Sequence, residues 1–188
     1  MIVEITTDGS SLKNPGPGGW ACIFRVPGRA KALYGYDIQT TNNRMELTAV
    51  ISALEHLSRP CEVKVYTDSQ YVHGGITSWI EKWKKNGWQA AVYNPYRKKY
   101  AGTKDVVNQD LWRRLDAARS RHKVEFIWVR GHANNEDNIQ CDLIAREAAR
   151  RQLSGIREIK VQYTIPFIVT EKHQVVIPVE IDRAITFE

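Results

Sequence analysis

Apolar residues in this chain recur with two periods. Ile2, Val3 and Ile5 open it in a β-branched run, so residues 2–7 read as a strand. Gly9 to Gly19 is rich in turn residues. Trp20 to Val26 and Lys31 to Ile38 then read as antiparallel strands about Pro27-Gly28. Leu47, Val50, Ile51, Leu54 and Leu57 fall at helical spacing. That helix begins near Arg44, with Asn42 or Asn43 as its cap, and Pro60 closes it. Glu62 to Thr67 is the next strand. A helical stretch starts at Gln70, breaks at Gly74-Gly75 and resumes through Trp79 to Lys85. Residues 87–107 show no clear period. Leu111, Leu115 and Ala118 mark another helix. Val124 to Val129 reads as a strand, Arg130 to Asp137 as a polar loop, and Asn138 to Gln152 as a last helix.

Three meandering strands followed by helix-linked strands predict an α/β fold, with a mixed five-stranded sheet flanked by helices. Right-handed crossovers would bring strand 2–7 beside strand 62–67, both parallel. Residues 156–188 differ in texture. Ile159, Val161, Tyr163 and Ile165 alternate with polar residues, as do Val175, Ile177, Val179 and Ile181. This predicts a C-terminal β-hairpin, restricted to edge positions by Pro166 and Pro178. The expected organisation is one domain over 1–152 and an extension over 153–188.

Composition narrows the function. No apolar run approaches 18 residues, so no membrane span is expected. The first residues carry no basic segment before a long apolar run, so no secretory signal is expected either. Cys22, Cys61 and Cys141 have no metal-like spacing and read as thiols in a reducing compartment, which implies a cytoplasmic location. A net charge of +6 and a pI near 9.3 suit a partner such as nucleic acid, although solubility charge alone explains such values as readily.

Four acids then change the picture. Asp8 follows Ile5-Thr6-Thr7, and Asp68 follows Val65-Tyr66-Thr67. Each would deliver a carboxylate to the same end of a parallel pair, where open α/β sheets place their ligands. Glu46 lies in the first turn of a helix and Asp142 in the last helix. Singly, each reads as a turn former, a helix-favouring acid or a solvated side chain. Converging carboxylates repel unless a cation joins them, and an all-oxygen site suits Mg²⁺.

The order strand, helix, strand, helix, together with the local sequences, resembles type-1 ribonuclease H. The segments are Thr7-Asp8-Gly9-Ser10, Asn14-Pro15-Gly16-Pro17-Gly18-Gly19-Trp20, Thr40-Thr41-Asn42-Asn43-Arg44-Met45-Glu46-Leu47, Tyr66-Thr67-Asp68-Ser69-Gln70-Tyr71-Val72, Trp128-Val129-Arg130-Gly131-His132 and Cys141-Asp142. They cover roughly residues 1–152. The resemblance implies a metal-dependent endonuclease that cuts the RNA strand of RNA–DNA hybrids and leaves 5′-phosphate and 3′-hydroxyl ends. It implies two Mg²⁺ ions, with Mn²⁺ as the alternative, held by Asp8, Glu46, Asp68 and Asp142. It implies that His132 moves a proton or helps product release, as suits a near-neutral imidazole on a polar loop.

The same resemblance assigns Gly9, Ser10, Asn14, Asn42, Asn43 and Gln70 to the RNA strand, whose 2′-hydroxyls distinguish it from DNA. Thr41 and Asn108 match positions that grip a DNA phosphate. The arginine that often completes that pocket is Gln39 here, and an acid often found further on is Ile139. Residues 79–107 match a basic handle for the DNA strand. There Trp79, Trp83 and Trp88 interleave with Lys82, Lys84 and Lys85. At least one of these tryptophans is expected to pack as core instead. Residues 89–107 form a longer stretch than usual in the bacterial family, with Tyr93, Tyr96 and Tyr100, and read as an extended footprint or a flexible loop. The expected state is a monomer, with the extension as a candidate dimer contact. Competing readings are another nuclease of the superfamily and a hybrid-binding module with weak catalysis.

Overall fold

A computed structural model describes residues 2–96, 98–131 and 135–159. Strand β1 (Ile2–Ser11) pairs antiparallel with β2 (Gly16–Val26), which pairs antiparallel with β3 (Arg29–Thr40). Helix α1 (Asn42–His56) crosses back, and β4 (Glu62–Thr67) joins β1 in parallel register, Thr7 beside Thr67. A helical run follows as α2 (Gln70–Gly74), a π-helical turn (Gly75–Trp79) and α3 (Ile80–Lys85). A separate hairpin of β5 (Gln89–Asn94) and β6 (Lys99–Asp105) leads to α4 (Gln109–Ser120). Strand β7 (Lys123–Trp128) lies parallel to β4, and α5 (Glu136–Arg151) leads to β8 (Gly155–Ile159), antiparallel to β3. The sheet order is β7-β4-β1-β2-β3-β8.

The sheet thus has six strands, not five. Residues 155–159 find an open edge on β3 and satisfy its backbone groups. The C-terminal hairpin expected over 156–188 lies outside the described residues from 160 onward. No helix among the described residues is long and apolar enough to cross a membrane.

Strands β1 and β2 also run further into the glycine-rich segment than turn chemistry suggested. The glycines there serve close packing. A Cβ on Gly19 would overlap the backbone of Ala145, so Gly19 lets α5 lie directly on β2. Likewise the glycine pair 74–75 does not break the helix, because a Cβ on Gly75 would overlap the Trp112 ring. The helix passes through as a π turn, the local distortion that accommodates this approach.

Alternation along β2 separates two cores. Cys22 joins Ile5, Val63 and Val65 under α1 and α4, with Leu47, Val50, Ile51, Leu54, Trp112 and Leu115 fully buried there. Truncating Leu54 to alanine in such a site costs about 2–5 kcal/mol. Ala21 and Ile23 face the opposite side with Cys141 and Ala145 of α5, where small residues bring helix and sheet close. Thr41, rather than Asn42 or Asn43, caps α1: its Oγ1 accepts from Arg44 N at 3.4 Å. Residues 87–107 show no period because most of the hairpin is exposed on both faces and nothing forces apolar alternation.

Candidate active site

Asp8 does not end β1. Strand β4 stops at Thr67, whereas β1 continues against β2, with Asp8 opposite Ala21 and Ser11 opposite Gly18. The longer strand leaves a ledge above the end of β4. Asp8 stands at its foot, beside Asp68. The Asp8 Oδ1 atom accepts from Gly9 N at 2.7 Å. The Asp68 carbonyl accepts from Trp128 Nε1 at 3.0 Å, which ties the end of β4 to β7.

Glu46 arrives from α1. A Cβ on Gly9 would overlap the backbone nitrogen of Glu46 and the carbonyl carbon of Met45, so the Met45–Glu46 peptide rests on bare β1 backbone; because α1 starts at Asn42, Glu46 lies just past its first turn rather than in it. The result is one cluster: oxygens of Asp8, Glu46 and Asp68 all lie within 4.8 Å of one another. Asp8 and Glu46 are buried, 7% and 6% exposed. Burial, then repulsion from Asp68 and Asp142, pushes the Asp8 carboxyl up from 3.8 to about 8. Burial, then Asp8 and Asp68, pushes Glu46 well above the ordinary carboxylate range. Glu46 Oε2 is buried and meets no hydrogen-bond donor among the described residues.

A buried carboxylate oxygen without a donor, beside two further carboxylates, fits a divalent cation held by oxygen ligands. Protons are the alternative means of relieving the repulsion. Asp142 stands outside this group of three, on α5, where Arg146 Nε approaches its Oδ1 at 2.8 Å. It remains close enough to act on the charge of Asp8. The sequence reading had not singled out Arg146, although an acid and a base four apart on a helix are a visible pair. Gly131 was legible only as part of a motif. In the fold, a Cβ there would stand 2.7 Å from Asp68 Oδ2, so its loop runs against the carboxylate. His132 lies outside the described residues.

Asn14 and Asn42 are brought together beside Ser11. Asn14 Oδ1 accepts from Asn42 N at 3.3 Å, and Asn42 Oδ1 accepts from Ser11 N at 3.2 Å. Each side chain thereby uses its oxygen on backbone and keeps its NH₂ as a donor. Asn43 and Gln70 are exposed and Ser10 half-buried. Thr41 and Asn108 are linked through Arg44, whose Nη1 donates to Asn108 Oδ1 at 3.4 Å, while Asp110 pairs with the same guanidinium at 2.7 Å. Asn108 Nδ2 in turn donates to Tyr71 OH at 3.2 Å. Gln39 is exposed on β3.

Trp79, Trp83 and Trp88 have different surroundings. Trp79 is 41% exposed and lies 5.8 Å from the Trp83 ring. Trp83 is half-buried against Trp112, at 5.3 Å. Trp88 is buried, with the Arg113 guanidinium 4.8 Å from its ring. Lys82, Lys84 and Lys85 are exposed, and Lys84 pairs with Asp116 at 2.9 Å. Ile139 is half-buried on α5.

Known proteins share this sequence and fold. The RNase H family profile matches residues 2–150. A ribonuclease H from Chelativorans sp. (strain BNC1) is 53% identical over 144 residues, covering 77% of this chain and 83% of the relative. A ribonuclease HI from Xylella fastidiosa (strain Temecula1) is 47% identical over 155 residues, 82% of this chain and 97% of the relative. Among solved structures, LC9-RNase H1, a type 1 RNase H with the type 2 active-site motif, superposes with a TM-score of 0.70. It is 30% identical, and the match covers 85% of this chain and 77% of that one. LC11-RNase H1, solved in complex with RNA/DNA hybrid, shares the fold with a TM-score of 0.59 at 22% identity, over 81% of this chain and 99% of that one. With the profile running from β1 through α5 and relatives about half identical, the chain belongs to the RNase H family.

Proposed function

We propose that this ribonuclease H, which hydrolyses the RNA strand of RNA–DNA hybrids, does so with two Mg²⁺ ions held by Asp8, Glu46, Asp68 and Asp142. The observation that carries the reading is the buried group of three carboxylates with Glu46 Oε2 lacking a donor. Two bound ions would supply positive charge at the attacking and leaving oxygens of an in-line displacement, giving 5′-phosphate and 3′-hydroxyl ends. Asp8 and Asp68, fixed by adjacent strands, and Glu46, fixed by the packing of α1 on Gly9, provide a ligand set that needs no rearrangement. Asp142 joins from α5, with Arg146 orienting its other oxygen. His132 helps to move a proton or to release product; His132→Ala is expected to impair turnover without abolishing it.

The rim of Gly9, Ser10, Asn14, Asn42, Asn43 and Gln70 faces the RNA strand, where amide donors suit 2′-oxygens. Thr41 and Asn108 hold a DNA phosphate, with Arg44 beside them. Trp79 offers its exposed face to the DNA strand, with Lys82, Lys84 and Lys85 for its phosphates; Trp83 and Trp88 support that surface from beneath. The catalytic machinery lies within 1–152, and 153–188 is an extension. The protein acts as a monomer. Its three free cysteines support a cytoplasmic location.

The decisive test uses a hybrid labelled on either strand, with double-stranded and single-stranded RNA as controls, with and without Mg²⁺. RNA-strand cleavage that needs Mg²⁺ and vanishes in Asp68→Asn is expected. Cleavage of the DNA strand, or turnover that survives Asp68→Asn, would overturn the reading.

A further inference from the structure

The β5–β6 hairpin lies within the 79–107 stretch, but its tyrosines have no part in the hold on the hybrid proposed so far. A two-stranded ribbon is marginal alone in water, and this one is anchored at its foot. Trp88 is buried there, and its carbonyl accepts from Val106 N at 3.1 Å and from Gln109 Nε2 at 2.9 Å. Above the foot the aromatics turn outward. Tyr93 and Tyr100 face each other across the strands, ring centroids 5.5 Å apart at 70°, yet they are 53% and 71% exposed. Tyr96, in the turn between the strands, is 96% exposed. A cross-strand pair accounts for two of these rings as hairpin stabilisers, yet most of their surface stays in solvent beside that of Tyr96.

Charge supplies the second observation. Residues 89–105 carry four bases, Arg97, Lys98, Lys99 and Lys104, against the single acid Asp105. Aromatic faces among cations form a stacking platform for unpaired nucleotides, whereas paired bases already have both faces covered by their neighbours. The hairpin follows α3, which carries Lys82, Lys84 and Lys85 of the proposed DNA-strand surface, so the two surfaces are neighbours along the chain. Strands of six and seven residues extend about 20 Å, or roughly six nucleotides of a stacked strand.

We propose that the hairpin binds single-stranded DNA continuing from the DNA strand of the hybrid, its bases on Tyr93, Tyr96 and Tyr100 and its phosphates on Lys98 and Lys104. This rests on the reading of the protein as a hybrid nuclease. The test compares KM for RNA cleavage on a blunt hybrid with that on the same hybrid carrying a ten-nucleotide thymidine extension of the DNA strand, at its 3′ or its 5′ end. The wild-type protein should favour one extended substrate roughly fivefold or more. Tyr96→Ala, and separately Tyr93→Ala with Tyr100→Ala, should bring that ratio toward one, and Tyr96→Phe should preserve it. Equal KM values for wild type on all substrates would overturn the proposal. So would tyrosine variants that weaken blunt and extended substrates alike. A protein inactive on the blunt hybrid with Mg²⁺ would instead overturn the nuclease reading, so the two failures are distinct.

Discussion

Glu46 reaches Asp8 because Gly9 has no side chain. The Met45–Glu46 peptide of α1 occupies the space where a Cβ on Gly9 would stand. Gly9→Ala must therefore lift α1 from β1 and withdraw Glu46 from the cluster. Overpacking of this kind costs about 1–3 kcal/mol, and displacement of a ligand by an ångström costs roughly a hundredfold in rate. Thermal unfolding and kcat on a hybrid check this; a protein with unchanged kcat would show that Glu46 is dispensable.

Asp8 holds activity and stability in opposition. Its carboxyl titrates near 8 when folded and near 3.8 when unfolded, so without metal the folded state binds the extra proton between these values. Stability of the metal-free protein therefore falls as pH rises from about 4 to about 8. Asp8→Asn removes that penalty. It should raise Tm in a chelator at pH 8 by about 5 °C, equivalent to ~2 kcal/mol for a chain of this size, while lowering turnover by roughly a thousandfold or more. A lower Tm for Asp8→Asn would contradict the assigned burial and repulsion.

Metal binding should release protons. The raised pKa values of Asp8 and Glu46 mean that near neutral pH a divalent ion displaces protons from the cluster. Titrating Mg²⁺ into weakly buffered protein at pH 7 should acidify the solution, and Asp68→Asn should shift the effect to higher Mg²⁺. No proton release from the wild type would mean that the ions bind elsewhere.

Gly131→Ala places a methyl group 2.7 Å from Asp68 Oδ2. Either the loop retreats or the carboxylate turns away. Both outcomes should raise the Mg²⁺ concentration for half-maximal activity, by about tenfold, with little change in Tm. A variant with wild-type Mg²⁺ dependence would place Asp68 outside the metal site.

Gln39→Arg adds a cation two residues before Thr41, whose neighbour Arg44 is partly neutralised by Asp110. The variant should bind hybrid more tightly at low salt, with the slope of log affinity against log salt steeper by about one. An unchanged salt slope would show that residue 39 does not reach the DNA phosphate.

Local pattern by itself determined the strands over 62–67, the helical stripe from Leu47 to Leu54 and the four acids, because two faces with different surroundings impose a period on the residues between them. Six spaced segments in one order, from Thr7-Asp8-Gly9-Ser10 to Cys141-Asp142, carried the resemblance to the family. Tertiary contacts decided what pattern does not encode. Gly9, Gly19 and Gly75 read locally as flexibility, and only the elements packed against them reveal that the missing Cβ atom is their contribution. The hairpin over 89–105 has few buried positions and so no readable period, and β8 exists because β3 offers it an edge. The separation of Asp142 from the three clustered acids, and the buried Glu46 oxygen without a donor, are likewise relations between distant segments. A sequence states which charges are present; burial, fixed only when α1 closes on β1, decides that these must hold either protons or metal.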